Sequence, residues 1–233
     1  MERPVFTFDH ISTNHSKFFT NLLISSQNFA LNEHPEHGLC LLMITRAKHL
    51  RHFPGELCPA GGKIEPGSNA IETAIRESDE EIGYTPTDPK KFGQVINPMA
   101  NMVNLFYSKI SDEELKNLKI SRDECSSICL LPLKKLREYA TEDVSIEIKF
   151  DGSKHAPILK DTDGFTAKTK LIKIKKSDLI VLHGEIPDEE VKFRPQGFFE
   201  LERIVLSRIN QPGFVIGQGI VEPCFNFSGK IRS

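Results

Sequence analysis

The segment from Gly62 to Tyr84, GKIEPGSNAIETAIRESDEEIGY, constrains this chain more than any other. Its Glu77, Glu80 and Glu81 stand at i, i+3 and i+4. At about 100° per residue they share one face of a helix. Like charges that close repel by roughly a few tenths of a kcal/mol per pair. A divalent cation between them removes that cost. Mg²⁺ suits such hard oxygen donors and keeps waters that a phosphate can displace, with Mn²⁺ as the alternative occupant.

The flanking residues predict where that helix begins and ends. Pro66-Gly67 is turn chemistry, and Ser68 or Asn69 can cap the first turn. With Asn69 as the cap, Glu72 stands three places on and completes a capping-box pair. Gly83 supplies the left-handed residue that ends many helices. The predicted helix therefore covers about 69–82. Ile71, Ile75, Ser78 and Ile82, with Ala74 close by, form the stripe expected to face a sheet while the acids point outward. Arg76 can reach Glu72 or Glu80, or hold the acids in place. A solvated acidic helix with ordinary surface pairs is the competing reading of the triplet by itself.

This pattern resembles the Nudix box, a loop–helix–loop whose members bind Mg²⁺ and hydrolyse a nucleoside diphosphate linked to another moiety. Gly62, Arg76, Glu77, Glu80, Glu81 and Gly83 match the fixed positions. Ser68 departs where the family usually has Glu, and Ser78 departs where an aliphatic residue is usual. A hydroxyl at Ser78 can bond back to a helix carbonyl. The resemblance implies a Nudix-type α/β/α sandwich with a mixed sheet. It also implies Glu77, Glu80 and Glu81 as metal ligands, Glu80 being a ligand or base, and Arg76 as the residue that orients Glu77.

Residues upstream narrow the resemblance. Thr45-Arg46 leads into Leu50-Arg51, then Gly55, then Gly61-Gly62-Lys63. The order is similar to the coenzyme A diphosphatase branch, although Cys58-Pro59-Ala60 replaces its usual small-Phe-Pro run. It implies a coenzyme A-like substrate contacted by Arg46, Arg51, Gly61, Gly62 and Lys63. Arg46 and Arg51 carry the forked donors that suit phosphate, and as isolated residues are equally plain surface arginines. Downstream, Glu124 precedes the apolar run Ile128–Leu131 and Pro132-Leu133. The branch has an acid at that distance, which makes Glu124 a further ligand or base; otherwise it is a charged loop residue. Other Nudix substrates (NADH, ADP-ribose, an RNA cap) and a nucleotide-binding member with weak catalysis are the alternatives.

A net charge of −2 argues against an extended nucleic-acid footprint and suits a small nucleotide. No run of about 18 apolar residues is present, so no spanning helix is predicted. The N-terminal residues lack a secretory pattern, and Lys-Ile-Arg-Ser at the end is no peroxisomal Ser-Lys-Leu address. Cys40, Cys58, Cys125, Cys129 and Cys224 form no Cys-x-x-Cys pair, which favours reduced thiols in an intracellular compartment, expected to be the cytoplasm with the peroxisome as the alternative. His34 and His37 read as loop residues around Pro35.

The remaining pattern is α/β, taken as one domain over 1–233 with an N-terminal extension to about 35 and an elaborated part from about 142. An amphipathic helix is predicted over 16–25 and a two-face-buried strand over 39–45. A hairpin is predicted from 92–97 and 102–110, a capped helix from Ser111 and a short helix over 133–139. Alternating strands are predicted at 144–150 and 168–175, with turns at 151–153 and 161–164. The lysines of the second strand suit a solvated edge, or phosphate binding. Phe198, Leu201, Val205 and Ile209 are the predicted apolar side of a closing helix.

Overall fold

In the computed structural model, which describes residues 5–6, 24–96, 102–149 and 164–207, the strand expected at 39–45 is the centre of the sheet. The first strands are β1 (Val5–Phe6), β2 (Ile24–His34), β3 (Gly38–Arg46), β4 (Leu57–Cys58) and β5 (Ala60–Lys63). Helix α1 (Ala70–Ile82) follows, then β6 (Lys90–Ile96), β7 (Met102–Lys109), α2 (Asp112–Lys116) and β8 (Cys125–Pro132). Helix α3 (Leu133–Leu136) leads to β9 (Glu142–Lys149), β10 (Gly164–Lys175), β11 (Ile180–Gly184) and β12 (Glu190–Phe193). The helix α4 (Gln196–Leu201) continues to Leu206 with wider turns.

The sheet is mixed. Neighbours run β1-β10-β12-β4-β3-β2-β7-β6, with β8 along the other side of β3 and β11 beside β8. The β2–β7 and β12–β4 pairs are parallel, whereas β3 is antiparallel to β2, β4 and β8. Alternate residues of β3 enter opposite layers, as its continuous apolar run requires. Leu41 and Met43 pack with Leu133, Leu136, Phe198, Leu201 and Val205. Cys40, Leu42 and Ile44 pack with Ile82, Leu115 and Ile128. Helices therefore cover both faces, giving the expected α/β/α sandwich.

Several expectations change. Of the helix expected over 16–25, residues 16–23 lie outside the described residues, and 24–25 open β2 instead. No alternation of apolar residues announces β2, because Ser26, Asn28 and Asn32 are buried on one of its faces. Partners take up the two amide donors: Asn28 Nδ2 donates to Ser108 Oγ at 2.9 Å and Asn32 Nδ2 to Asp112 Oδ1 at 2.9 Å. The lysine-rich β10 is not an edge: its first half pairs with β9 and its second with β12. Its lysines meet acids of β9, Lys170 with Asp143 and Lys173 with Glu142. The helix after Pro132 stops at Leu136. The hairpin strands form as β6 and β7. Both turns, at 151–153 and around 161–163, and Ile209 lie outside the described residues.

Helix α1 forms from its predicted signals. Asn69 Oδ1 accepts from the Glu72 N–H at 3.0 Å, and Glu72 Oε2 accepts from the Asn69 N–H at 3.2 Å, a reciprocal cap. Gly83 closes the helix at φ 66°, where a side chain is disfavoured. The buried face is rotated from the expected stripe: Thr73, Ala74, Ser78, Glu81 and Ile82 are buried, whereas Ile71 is exposed. The cause is the surface beneath. A Cβ on Gly62 would strike the Glu77 carboxylate, so the helix lies close over β5 there. Ala74 and Ser78 are the small side chains of the buried face, and Ser78 stands within 3.5 Å of Asn28 Nδ2 on β2. Ser78 Oγ donates back to Ala74 O at 2.8 Å, so its hydroxyl is satisfied within the helix.

Candidate active site

Glu77 and Glu81 project from consecutive turns of α1, over the strand that carries Gly61 and Gly62. Glu124 reaches them from the turn before β8. That turn is tied to the helix end, since the Ser121 N–H donates to Glu81 O at 3.0 Å and the Glu124 N–H to Ser121 O at 3.2 Å. One carboxylate oxygen from each of Glu77, Glu81 and Glu124 lies within 4.8 Å of the others.

The three acids are electrostatically unlike. Glu81 is only 2% exposed, with Oε2 accepting from the Gly61 N–H at 2.9 Å. Burial pushes its carboxyl up to about 8. The Gly61 bond and Arg46 oppose the rise, while the charges of Glu124 and Glu77 add to it. Glu77 is also raised, first by burial and against the pull of Arg76. The site thus gathers three carboxyl groups, two of them drawn out of water, whose ionisation is held back by burial and by one another. Oxygen-only donors of this charge fit a hard divalent cation such as Mg²⁺ or Mn²⁺.

Arg76 organises the outer side of the group. Its Nη2 donates to Glu77 Oε1 at 2.5 Å and Nη1 to Glu80 Oε2 at 2.6 Å. Glu80, expected as a metal ligand, is instead turned to Arg76 and stands outside the convergent trio. The reason is helical geometry: Glu80 lies four residues from Arg76, whereas Glu77 and Glu81 sit over the glycine strand. Glu124 takes the third place in the group.

The basic residues divide. Arg46 closes β3 with Nε donating to His52 O at 3.1 Å, and its charge reaches Glu81. Lys63 is exposed at the end of β5, with its carbonyl 3.5 Å from Arg76 Nη2. Arg51 is exposed on the 47–56 loop. Cys58 sits near Glu81, and burial pushes its thiol up to about 12. Cys40, Cys58, Cys125 and Cys129 are all free, as small buried or half-buried side chains.

Sequence reasoning overlooked a pair beside the site. Arg194, just past β12, grips Glu56 with Nε and Nη2 at 2.9 and 2.8 Å. Neither residue stands in a recognisable spacing, since 138 positions separate them.

The comparisons with known proteins agree with the box. The NUDIX domain model matches residues 29–150, just over half of the chain, and the chain belongs to that family. It is 37% identical over 101 residues to "Nudix hydrolase 3" of Caenorhabditis elegans, covering 41% of this chain and 42% of that one. It is 35% identical over 81 residues to "Peroxisomal coenzyme A diphosphatase ndx-8" of the same organism, covering 29% and 35%. The chain therefore spans less than half the length of these curated relatives. Among solved structures, the NUDIX domain of Shewanella oneidensis NrtR complexed with ADP ribose superposes with a TM-score of 0.44 at 17% identity, covering 56% of this chain and 85% of that one. No described helix is long and apolar enough to cross a membrane.

Proposed function

We propose that this chain is a divalent-cation-dependent Nudix pyrophosphohydrolase acting on a nucleoside diphosphate linked to another moiety, with coenzyme A or its derivatives as the favoured substrate. Hydrolysis would add water across the P–O–P bridge and release 3′,5′-ADP and 4′-phosphopantetheine. The observation that carries the reading is the convergence of Glu77, Glu81 and Glu124, one of them buried with a raised pKa, over the backbone of Gly61 and Gly62.

Glu77, Glu81 and Glu124 would hold the cation. When bound, it supplies charge neutralisation for the diphosphate and acidifies an attacking water. Gly61 fixes the Glu81 carboxylate through its N–H, and Gly62 lets the Glu77 carboxylate lie against the strand. Arg76 orients Glu77, and Glu80 in turn steadies Arg76. Preorganised groups of this kind need no rearrangement as charge develops. Arg46, Arg51 and Lys63 would offset phosphate charge, and of these the Arg46 charge already acts on Glu81. The coenzyme reading rests on Arg46, Arg51 and the Gly-Gly-Lys order, and on the likeness to the relative named as a coenzyme A diphosphatase.

The test is a product analysis with Mg²⁺ and, separately, Mn²⁺. Coenzyme A, ADP-ribose, NADH and a capped dinucleotide are offered at equal concentration. Cleavage of coenzyme A to the two named products at the highest kcat/KM is expected. Preference for another substrate would overturn the coenzyme assignment and leave the hydrolase, whereas cation binding without any cleavage would leave only a nucleotide-binding protein.

A further inference from the structure

The loop between β3 and β4, residues 47–56, carries Arg51 and begins beside Arg46, yet its conformation is fixed from the far end of the chain. The Arg194 guanidinium makes its forked bond to Glu56 with both side chains largely buried, 18% and 11% exposed. The same guanidinium lies over the ring of Phe53, 4.7 Å from its centroid. Phe53 is the one described non-glycine residue at positive φ, 51°. Such a conformation persists only where neighbours over-determine it. Backbone contacts complete the brace: Phe193 pairs with Leu57, the Arg46 N–H donates to Glu56 O at 3.0 Å, and the Gly55 N–H donates to Arg46 O at 3.0 Å.

A simple gain in stability is a weak account of this pair. Burying two opposite charges often returns little net stability against an apolar pair of similar volume. Arg194 also leaves Nη1 buried without a hydrogen-bond partner, a further cost. What the fork does provide is geometry, because a planar guanidinium fixes a carboxylate at two points.

We propose that Arg194 is a positioning residue for substrate binding: through Glu56 and Phe53 it holds the 47–56 loop so that Arg46 and Arg51 meet the phosphates of the nucleotide. The C-terminal strand β12 thereby becomes part of the recognition apparatus, apart from the carboxylates that do the chemistry. This rests on the hydrolase reading above for its kinetic signature, though not for its structural one.

The experiment compares the full chain with Arg194→Met, which keeps the stem, Arg194→Lys, which keeps the charge without the fork, and Glu56→Gln. Amide hydrogen exchange, Mn²⁺ binding by the metal alone, and coenzyme A hydrolysis with Mg²⁺ are measured on each. In Arg194→Met, exchange across 47–56 should rise on the order of tenfold while α1 stays protected. KM should rise on the order of tenfold, with kcat and Mn²⁺ affinity within about twofold. Arg194→Lys should not restore KM, and Glu56→Gln should reproduce the pattern even if Arg194→Met folds poorly. Unchanged exchange across 47–56 would overturn the proposal, as would a fall in kcat that tracks lost Mn²⁺ affinity. If the wild-type chain cleaves no diphosphate, the hydrolase reading fails by itself and the exchange rates alone decide the brace.

Discussion

The segment from Gly61 to Gly83 and the loop 47–56 adjoin the same carboxylates, yet they are held in opposite ways. In the first, the side-chain bonds made within the helix and its cap are local: Asn69 with Glu72, Arg76 with Glu77 and Glu80, Ser78 with Ala74. In the second, backbone bonds among Arg46, Gly55 and Glu56 are joined by a side-chain grip from Arg194, 138 residues on. Local restraints set the helix that carries Glu77 and Glu81 through short-range geometry. A remote brace leaves the loop free to be retuned for another substrate while the acids stay in place.

The strongest way to break that contrast is at the buried acid. Glu81→Gln removes a carboxylate proposed to hold the cation while keeping size and the capacity to accept from the Gly61 N–H. Turnover should fall on the order of a thousandfold, with KM little changed. The fold should survive, because a neutral amide relieves the burial of charge that raises Glu81 to about 8. Steady-state kinetics alongside thermal unfolding at pH 8 checks both halves. Hydrolysis near the wild-type rate would remove Glu81 from the cation site.

The same burial makes the site pH-dependent. Glu81 has a folded pKa of about 8 against an ordinary 4.5. The sign follows from linkage: a raised carboxyl favours the fold fully below its ordinary pKa, and that support is lost as pH rises through the folded value. The metal-free protein should therefore lose stability between about pH 4.5 and about 8 from this group. A cation binds the ionised form, so its affinity should climb about tenfold per pH unit between 6 and 8 and then level off. Mn²⁺ titrations in buffers of different ionisation enthalpy measure both the affinity and the proton released. A flat affinity across that range would mean Glu81 does not exchange its proton for the cation.

Gly62→Ala probes the floor beneath the acids. Its new methyl would occupy space held by the Glu77 carboxylate. The carboxylate must swing away, straining its bond to Arg76, and cation affinity should fall roughly tenfold, as when an orienting group is lost from a metal site. At Gly55, by contrast, an added methyl would meet no atom within 4 Å, but φ is 71°. Gly55→Ala should therefore disturb the loop and leave cation affinity intact. Mn²⁺ binding to both variants sharpens the division between the two regions.

What could be read from the sequence follows the same division. The limits of α1, its Asn69–Glu72 cap and its Gly83 stop depend on residues a few places apart, and the structure has them as expected. The convergence of Glu77 with Glu81 is likewise a consequence of helical spacing, whereas Glu124 needed the family resemblance to be found. The face of α1 that is buried was not legible, because its contacts are with distant strands, Ser78 with Asn28 and Glu81 with Gly61. Strand β2 escaped because its buried Ser26, Asn28 and Asn32 imitate an exposed segment. Arg194 and Glu56 gave no pattern at all: a pair joined only by the fold has no spacing to recognise.

The smallest effect tests whether the helix is as locally determined as its contacts suggest. Asn69→Ala removes the side-chain acceptor of the Glu72 N–H and half of the reciprocal cap. Loss of such a cap costs about 1 kcal/mol. For a chain of this size that lowers Tm by roughly 2–4 °C. Fraying of the first turn stops short of Glu77, because Thr73 and Ala74 are buried and Arg76 ties Glu77 and Glu80 one turn further on. Hydrolysis at saturating cation should therefore stay within about twofold of wild type, since the interactions made in the transition state are untouched. A tenfold loss of turnover with the same small change in Tm would show that the cap sets the register of the whole helix over Gly61 and Gly62. The carboxylates would then owe their positions to the loop before them as much as to the turns that carry them.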